Sequence, residues 1–199
     1  KMTPNIMLEG HIANTLARAK SSPDEYLIAA QDTTYYNYTG HRKMKGLGLI
    51  QENTKGAIQH NVLLMNESGQ PLGLLDQQYW TREGGKNFEG KESEKWFNGL
   101  SAVNKHLGNC GKKVVLVQDR EADIFDFFKA ERAESVELLV RVHEPRNMEV
   151  LANGEVVKLE KASEHLLDYG QKEVVIQRNN REVKLTLSLR AGAVNVHPR

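Results

Sequence analysis

With a single cysteine, Cys110, the chain has no means of forming an internal disulfide. That residue sits in the turn-like run Gly108–Gly111 rather than beside a histidine base, so it reads as structurally neutral. No stretch approaches the roughly 18 to 20 consecutive apolar residues that a membrane-spanning helix requires, and no signal-peptide pattern opens the sequence. These absences make a cytoplasmic protein with no membrane partner the default expectation. An excess of one charge is also missing, since 27 Lys and Arg against 26 Asp and Glu give a formal net charge of +1. Composition by itself therefore calls for no nucleic-acid partner. What is present, 199 residues of which 39% are hydrophobic, is enough for one good core with room for a smaller appended lobe.

Basic residues nevertheless gather in two places. His41, Arg42, Lys43, Lys45 and Lys55 fall close together, and Lys172, Arg178, Arg181, Lys184, Arg190 and Arg199 accumulate at the end. Either set suits phosphates along a backbone, though interspersed charge of this kind is more often an ordinary solvated surface.

The most informative stretch is Lys113–Ile124, KVVLVQDREADI, a short run of valines and leucine that stops at an aspartate. Such a run, bounded by Gly and Lys before and charges after, predicts a buried strand with Asp119 at its carboxyl end. In open α/β sheets that end is where chemistry is usually placed. A second run, TyrLeuIleAlaAla at 26–30, ends the same way in Gln31, Asp32, Thr33 and Thr34. Asp119 alone is explained equally well as a turn former or as the cap of a helix over Ala122–Glu131. Paired with Asp32 after an identical GlnAsp ending, it suggests a divalent-metal site. Capping and metal binding do not exclude each other.

Along the chain, Ile6–Lys20 has helical spacing that Pro23 stops. AsnValLeuLeuMet at 61–65 and the run Pro71–Trp80 form two strands around AsnGluSerGlyGln, so the early half predicts an antiparallel meander. After the loop ThrArgGluGlyGlyLys at 81–86, the stretch Glu92–Leu107 carries Trp96, Phe97, Leu100, Val103 and Leu107 at helical spacing. The strand ending at Asp119, a helix and ValGluLeuLeuValArgVal at 136–142 follow. The predicted core order is three strands, helix, strand, helix, strand, and the sheet should be mixed. Beyond Pro145 the character becomes β-rich, with a strand pair around Asn153 and Gly154. A second pair, 173–177 and 183–190, is joined by ArgAsnAsnArg and should have one face exposed. The expected organisation is a helical segment at 1–24, a mixed α/β core at 25–145 and a small β-rich unit at 146–199.

The ordered set QDTT at 31–34, VLLM followed by PLGLLDQQYW, KESEKW at 91–96, QDREADI at 118–124, LLVRVHEPR at 138–146 and LSLRAG at 187–192 covers nearly the whole chain. This set resembles the catalytic region of bacterial insertion-sequence cut-and-paste transposases of the DDE type. The resemblance implies a ribonuclease H-like mixed sheet with flanking helices and a β-rich insertion subdomain. It also implies catalytic, metal-ligating aspartates at Asp32 and Asp119 and two Mg²⁺ or Mn²⁺ ions per site. Its partners would be double-stranded DNA, both transposon ends and target, bound by a homodimer. The third carboxylate of the family lies in a Tyr, Arg, Glu, Lys helix motif, and no such pattern occurs here. Glu149, Glu155 and Glu164 stand in the wrong context to replace it. The expectation is therefore a piece of a longer protein, lacking the family's amino-terminal DNA-recognition domain, with the third carboxylate beyond Arg199 and little activity alone.

Arg141 matches the place where the family sets a basic residue near DNA. Arg120 belongs to the motif and would orient an aspartate or meet phosphate, and Lys45 joins them as a DNA-binding candidate. An ordinary surface arginine paired with Glu137 or Glu144 is the alternative for Arg141. Tyr35, Tyr36 and Tyr38 suit stacking on unpaired bases, or packing as a strand-edge cluster. His143 reads as structural or solvated. Two other functions stay open: a non-catalytic DNA-binding or assembly module, and a cellular nuclease of the same fold.

Overall fold

A computed structural model of the chain describes residues 4–82, 91–143, 146–151 and 153–198. They divide into two compact units, Lys1–His143 and Glu144–Arg199. The first contains helix α1 (Pro4–Ser21), strands β1 (Tyr26–Asn37), β2 (Gly48–Gln51), β3 (Thr54–Asn66) and β4 (Pro71–Trp80), helix α2 (Glu94–Leu107), strand β5 (Lys113–Gln118), the single-turn helix α3 (Phe125–Phe128) and strand β6 (Val136–Val140). Six strands make one sheet in the order β2-β3-β1-β5-β6, with β4 also paired to β3. β3 runs antiparallel to β1, β2 and β4. β5 is parallel to both β1 and β6. The unit is thus a mixed α/β fold with few helices.

Local chemistry accounts for these elements. The β3–β4 turn closes because Gly69 takes a φ of 79° and the Asn66 side chain accepts from Gln70 N–H at 2.8 Å. Parallel β1 and β5 need a crossover, and α2 supplies it. The inner face of α2 buries Trp96, Leu100, Val103 and Leu107. They pack with Leu27 and Ala29 of β1, Val62 and Leu64 of β3, and Val114 and Leu116 of β5. Alternation along the strands therefore assigns these residues, and those two apart from them, to one buried face.

In the second unit β7 (Asn147–Val150) lies between β8 (Val156–Lys158) and β11 (Val194–Val196). The one-turn helix α4 (Leu159–Ala162) follows β8. A separate hairpin pairs β9 (Leu167–Arg178) with β10 (Arg181–Ala191). Its two-residue turn is Asn179–Asn180, with φ of 52° and 58°. Asparagine tolerates this left-handed backbone, which matches the twist of a tight hairpin.

Several expectations need correction. Four strands, not three, precede α2. β1 does not end at Ala30 but continues to Asn37, because Gln31–Asn37 stay hydrogen-bonded to β3. Asp32 is therefore within a strand, at the level where the parallel pairing with β5 stops. The helix expected over Ala122–Glu131 breaks into a 3-10 turn, Arg120–Ala122, and α3, because Ile124 is extended at φ −113°, ψ 121°. One helical turn suffices to bury Phe127 edge-on against Phe97, 5.2 Å between ring centres. The β9–β10 hairpin exposes both faces rather than one. Residues 83–86 of the expected loop after Thr81 lie outside the described residues, as does Glu144, one proposed partner of Arg141.

Candidate functional site

Three strands bring Asp32, Asp119 and Arg141 to one level of the sheet. The constant offset that pairs Tyr26 with Lys113 and Ala30 with Val117 relates Asp32 to Asp119, two residues beyond the last pair. The offset that pairs Gln118 with Val140 relates Asp119 to Arg141, one residue further on. The Arg141 N–H donates to the Gln118 carbonyl at 3.1 Å, which holds that extension in place. Gln31 and Gln118 are buried on the α2 face, whereas Asp32, Asp119 and Arg141 are exposed. In-and-out alternation thus turns Asp32 and Asp119 away from α2, at corresponding positions of neighbouring strands.

Each aspartate gives one oxygen to nearby backbone. Asp32 Oδ1 accepts from Thr33 N–H at 2.8 Å, and Asp119 Oδ1 accepts from Glu121 N–H at 2.9 Å. The capping role foreseen for Asp119 is real: it caps the 3-10 turn Arg120–Ala122. That bond engages one oxygen and leaves the carboxylate at the surface.

Beneath Asp32 lies a buried polar chain. His60, fully buried on β3, contacts Thr33 Oγ1 through Nδ1 and Gln31 Oε1 through Nε2, each at 2.9 Å. The Gln31 Nε2 donates to the Trp96 carbonyl in the first turn of α2 at 3.4 Å. Because that amide nitrogen is committed as donor, Gln31 Oε1 is an acceptor, and His60 must carry its proton on Nε2. Neutral His60 then accepts from the Thr33 hydroxyl at Nδ1. Burial, helped by the positive charge of Lys95, lowers the His60 pKa to about 4, so the imidazole is neutral at pH 7. The His60 ring also meets Trp96 edge-on at 4.6 Å. Gly99 makes room for the Gln31 amide, since a Cβ there would fall 2.1 Å from Gln31 Oε1.

The neighbouring segment is tied differently. Lys95 Nζ, with a side chain only 5% exposed, pairs with Glu121 Oε2 at 2.9 Å, and Glu121 is 48% exposed. One turn of α2 therefore reaches the Asp119 turn through Lys95 and the Asp32 strand through Trp96. At the same end of α2, Arg82 makes a two-pronged bond to Glu92, 2.6 Å from each carboxylate oxygen. This bond holds the Glu92 carboxyl below its ordinary range. Burial pushes the Tyr35 phenol up, with the charge of Glu121 adding to it.

Lys45 is exposed in the β1–β2 connection, and Arg120 is exposed in the turn beside Asp119. Tyr36 and Tyr38 stack at 6.2 Å, and His41 meets Tyr38 edge-on at 5.6 Å. His143 is exposed, and its N–H donates to Asp123 Oδ2 at 2.7 Å. Sequence reasoning missed His60, Lys95 and the Arg82–Glu92 fork. The repeated GlnAsp ending was the available signal for the chain under Asp32.

Among the described residues no group of three or more His, Cys, Asp or Glu side chains is placed to hold a metal ion. Two exposed carboxylates on adjacent strands still fit a hard cation such as Mg²⁺, which keeps several waters and takes only one or two protein carboxylates beside substrate phosphates. None of the described helices is long and apolar enough to cross a membrane. No family model matches this chain.

Proposed function

We propose that this chain carries the metal-dependent DNA-cutting core of a DDE-type transposase built on a ribonuclease H-like sheet. The observation that carries the reading is the β1–β5 register, which relates exposed Asp32 to exposed Asp119 on adjacent parallel strands. The strand order, with an antiparallel partner on one side of β1 and parallel β5 and β6 on the other, agrees with such a fold.

Asp32 and Asp119 would hold Mg²⁺ or Mn²⁺, and two ions about 3.5 to 4 Å apart would supply an activated water or 3′-hydroxyl and a counter-charge for the leaving oxygen. Asp119, kept in orientation by its cap to Glu121 N–H, presents its carboxylate from the end of β5. Arg141, one strand further, is set to meet a phosphate of the same duplex, with Arg120 and Lys45 as further backbone contacts. Hydrolysis at a transposon end frees a 3′-hydroxyl, which then attacks a second phosphodiester to join the ends to target DNA. A homodimer bridging two ends is the assembly that reaction needs.

Nicking of end-bearing duplex DNA in Mn²⁺ tests the reading. Metal-dependent nicking abolished by Asp32→Asn and by Asp119→Ala is expected once the site is complete, and nicking that survives either change sinks it. Duplex retention without any metal uptake favours the assembly module instead.

A further inference from the structure

The first turn of α2 touches both aspartate-bearing segments through consecutive residues. The Trp96 carbonyl anchors a directional chain in which Thr33 O–H donates to His60, His60 Nε2–H donates to Gln31, and the Gln31 amide donates to Trp96. Gln31 and Thr33 flank Asp32, so this chain grips β1 on both sides of the aspartate. Lys95 grips Glu121, whose own N–H is bound by Asp119 Oδ1. Neither Lys95 nor His60 faces solvent.

We propose that this helical turn sets the spacing of the two aspartates, with His60 acting as the positioning residue for Asp32 and Lys95 as that for Asp119. The proposal rests on the two-aspartate cation site above. His60 suits the task because a planar ring with one donor and one acceptor transmits direction as well as distance. Lys95 suits it because its buried ammonium is held to the Glu121 carboxylate at 2.9 Å. Groups that orient metal ligands from behind typically contribute 10- to 100-fold in metal affinity, so the effect is measurable without catalysis.

The experiment uses the full chain with Mn²⁺ alone as probe, read by electron paramagnetic resonance, beside ¹⁵N spectra of the His60 ring and thermal melts. Wild type is expected to take up Mn²⁺, and Asp32→Asn to lose it. Thr33→Val and Lys95→Met should each bind about tenfold more weakly while melting within a few degrees of wild type. Thr33→Ser, which keeps the hydroxyl, should restore binding, a rescue that a packing role alone would not give. The ¹⁵N spectrum should show the proton on Nε2 of His60. The proposal is overturned if Thr33→Val and Lys95→Met bind as wild type does, or if His60 carries its proton on Nδ1, while the cation site itself stands. Failure of wild type to bind Mn²⁺ overturns the cation site and the proposal together.

Discussion

Gln31–Asp32 and Gln118–Asp119 are the same dipeptide at matching levels of two adjacent strands, yet they are held by different means. The Gln31 amide is engaged at both ends, by His60 and by Trp96. The Gln118 amide is equally buried, but its nitrogen and oxygen have no hydrogen-bond partner among the described residues. Asp32 is steadied from below by a side-chain chain, Asp119 by its own backbone cap and by the turn that Lys95 grips. The same in-and-out pattern therefore produces two carboxylates with one orientation and two kinds of support.

The contrast can be broken most strongly at Gln31. Gln31→Met strips the acceptor from His60 Nε2–H and the donor from the Trp96 carbonyl, leaving buried groups unpaired, and should cost about 1 to 3 kcal/mol in urea unfolding. Next in size is an acid effect. The folded-state pKa of His60 is about 4, against about 6.5 for an unperturbed histidine. Stability contributed by the neutral ring is therefore present above about pH 6.5 and is lost as pH falls toward 4. Unfolding midpoints between pH 7 and pH 4.5 should drop less in His60→Gln than in wild type, and equal drops would refute the assignment. Gln118→Met removes an amide that satisfies nothing, so the same substitution that harms β1 should leave β5 neutral or stabilised by up to about 1 kcal/mol. Equal losses at both glutamines would erase the distinction. Smallest is Lys95→Met, where half-exposed Glu121 remains solvated, and a change below about 1 kcal/mol is expected in the same assay.

Much of the frame was legible from apolar spacing. The periodicity of Ile6–Lys20 and of Trp96–Leu107, the valine run before Asp119 and the ArgAsnAsnArg turn each describe a local preference that tertiary contacts leave intact. The missed parts share a physical cause. β1 and β3 continue through Gln31, Thr33 and His60, polar residues that are buried because they satisfy one another. A reading that ends a strand at the first polar side chain stops too early there, at Ala30 and at Asn61. The apolar pattern of Phe125, Phe127 and Phe128 predicts a longer helix than α3, because that pattern carries no sign of the extended backbone at Ile124. The register that aligns Asp32 with Asp119 is a long-range property that neither strand encodes alone.

That register also fixes when the site comes into being. β3 and β4 pair through a tight turn and β1 reaches β3 across the segment that holds β2, whereas β5 reaches β1 only after the whole meander and α2 have been threaded between them. Pairings distant along the chain close late because their loop entropy is lost before contacts compensate it. Pulse-labelled hydrogen exchange should protect amides of β1 and β3 before those of Val114–Val117, and simultaneous protection would refute this order. During synthesis, Asp32 would already lie in a formed hairpin while Asp119 was still unpaired, so a nascent chain holds half of its site and none of its chemistry until the sheet is finished.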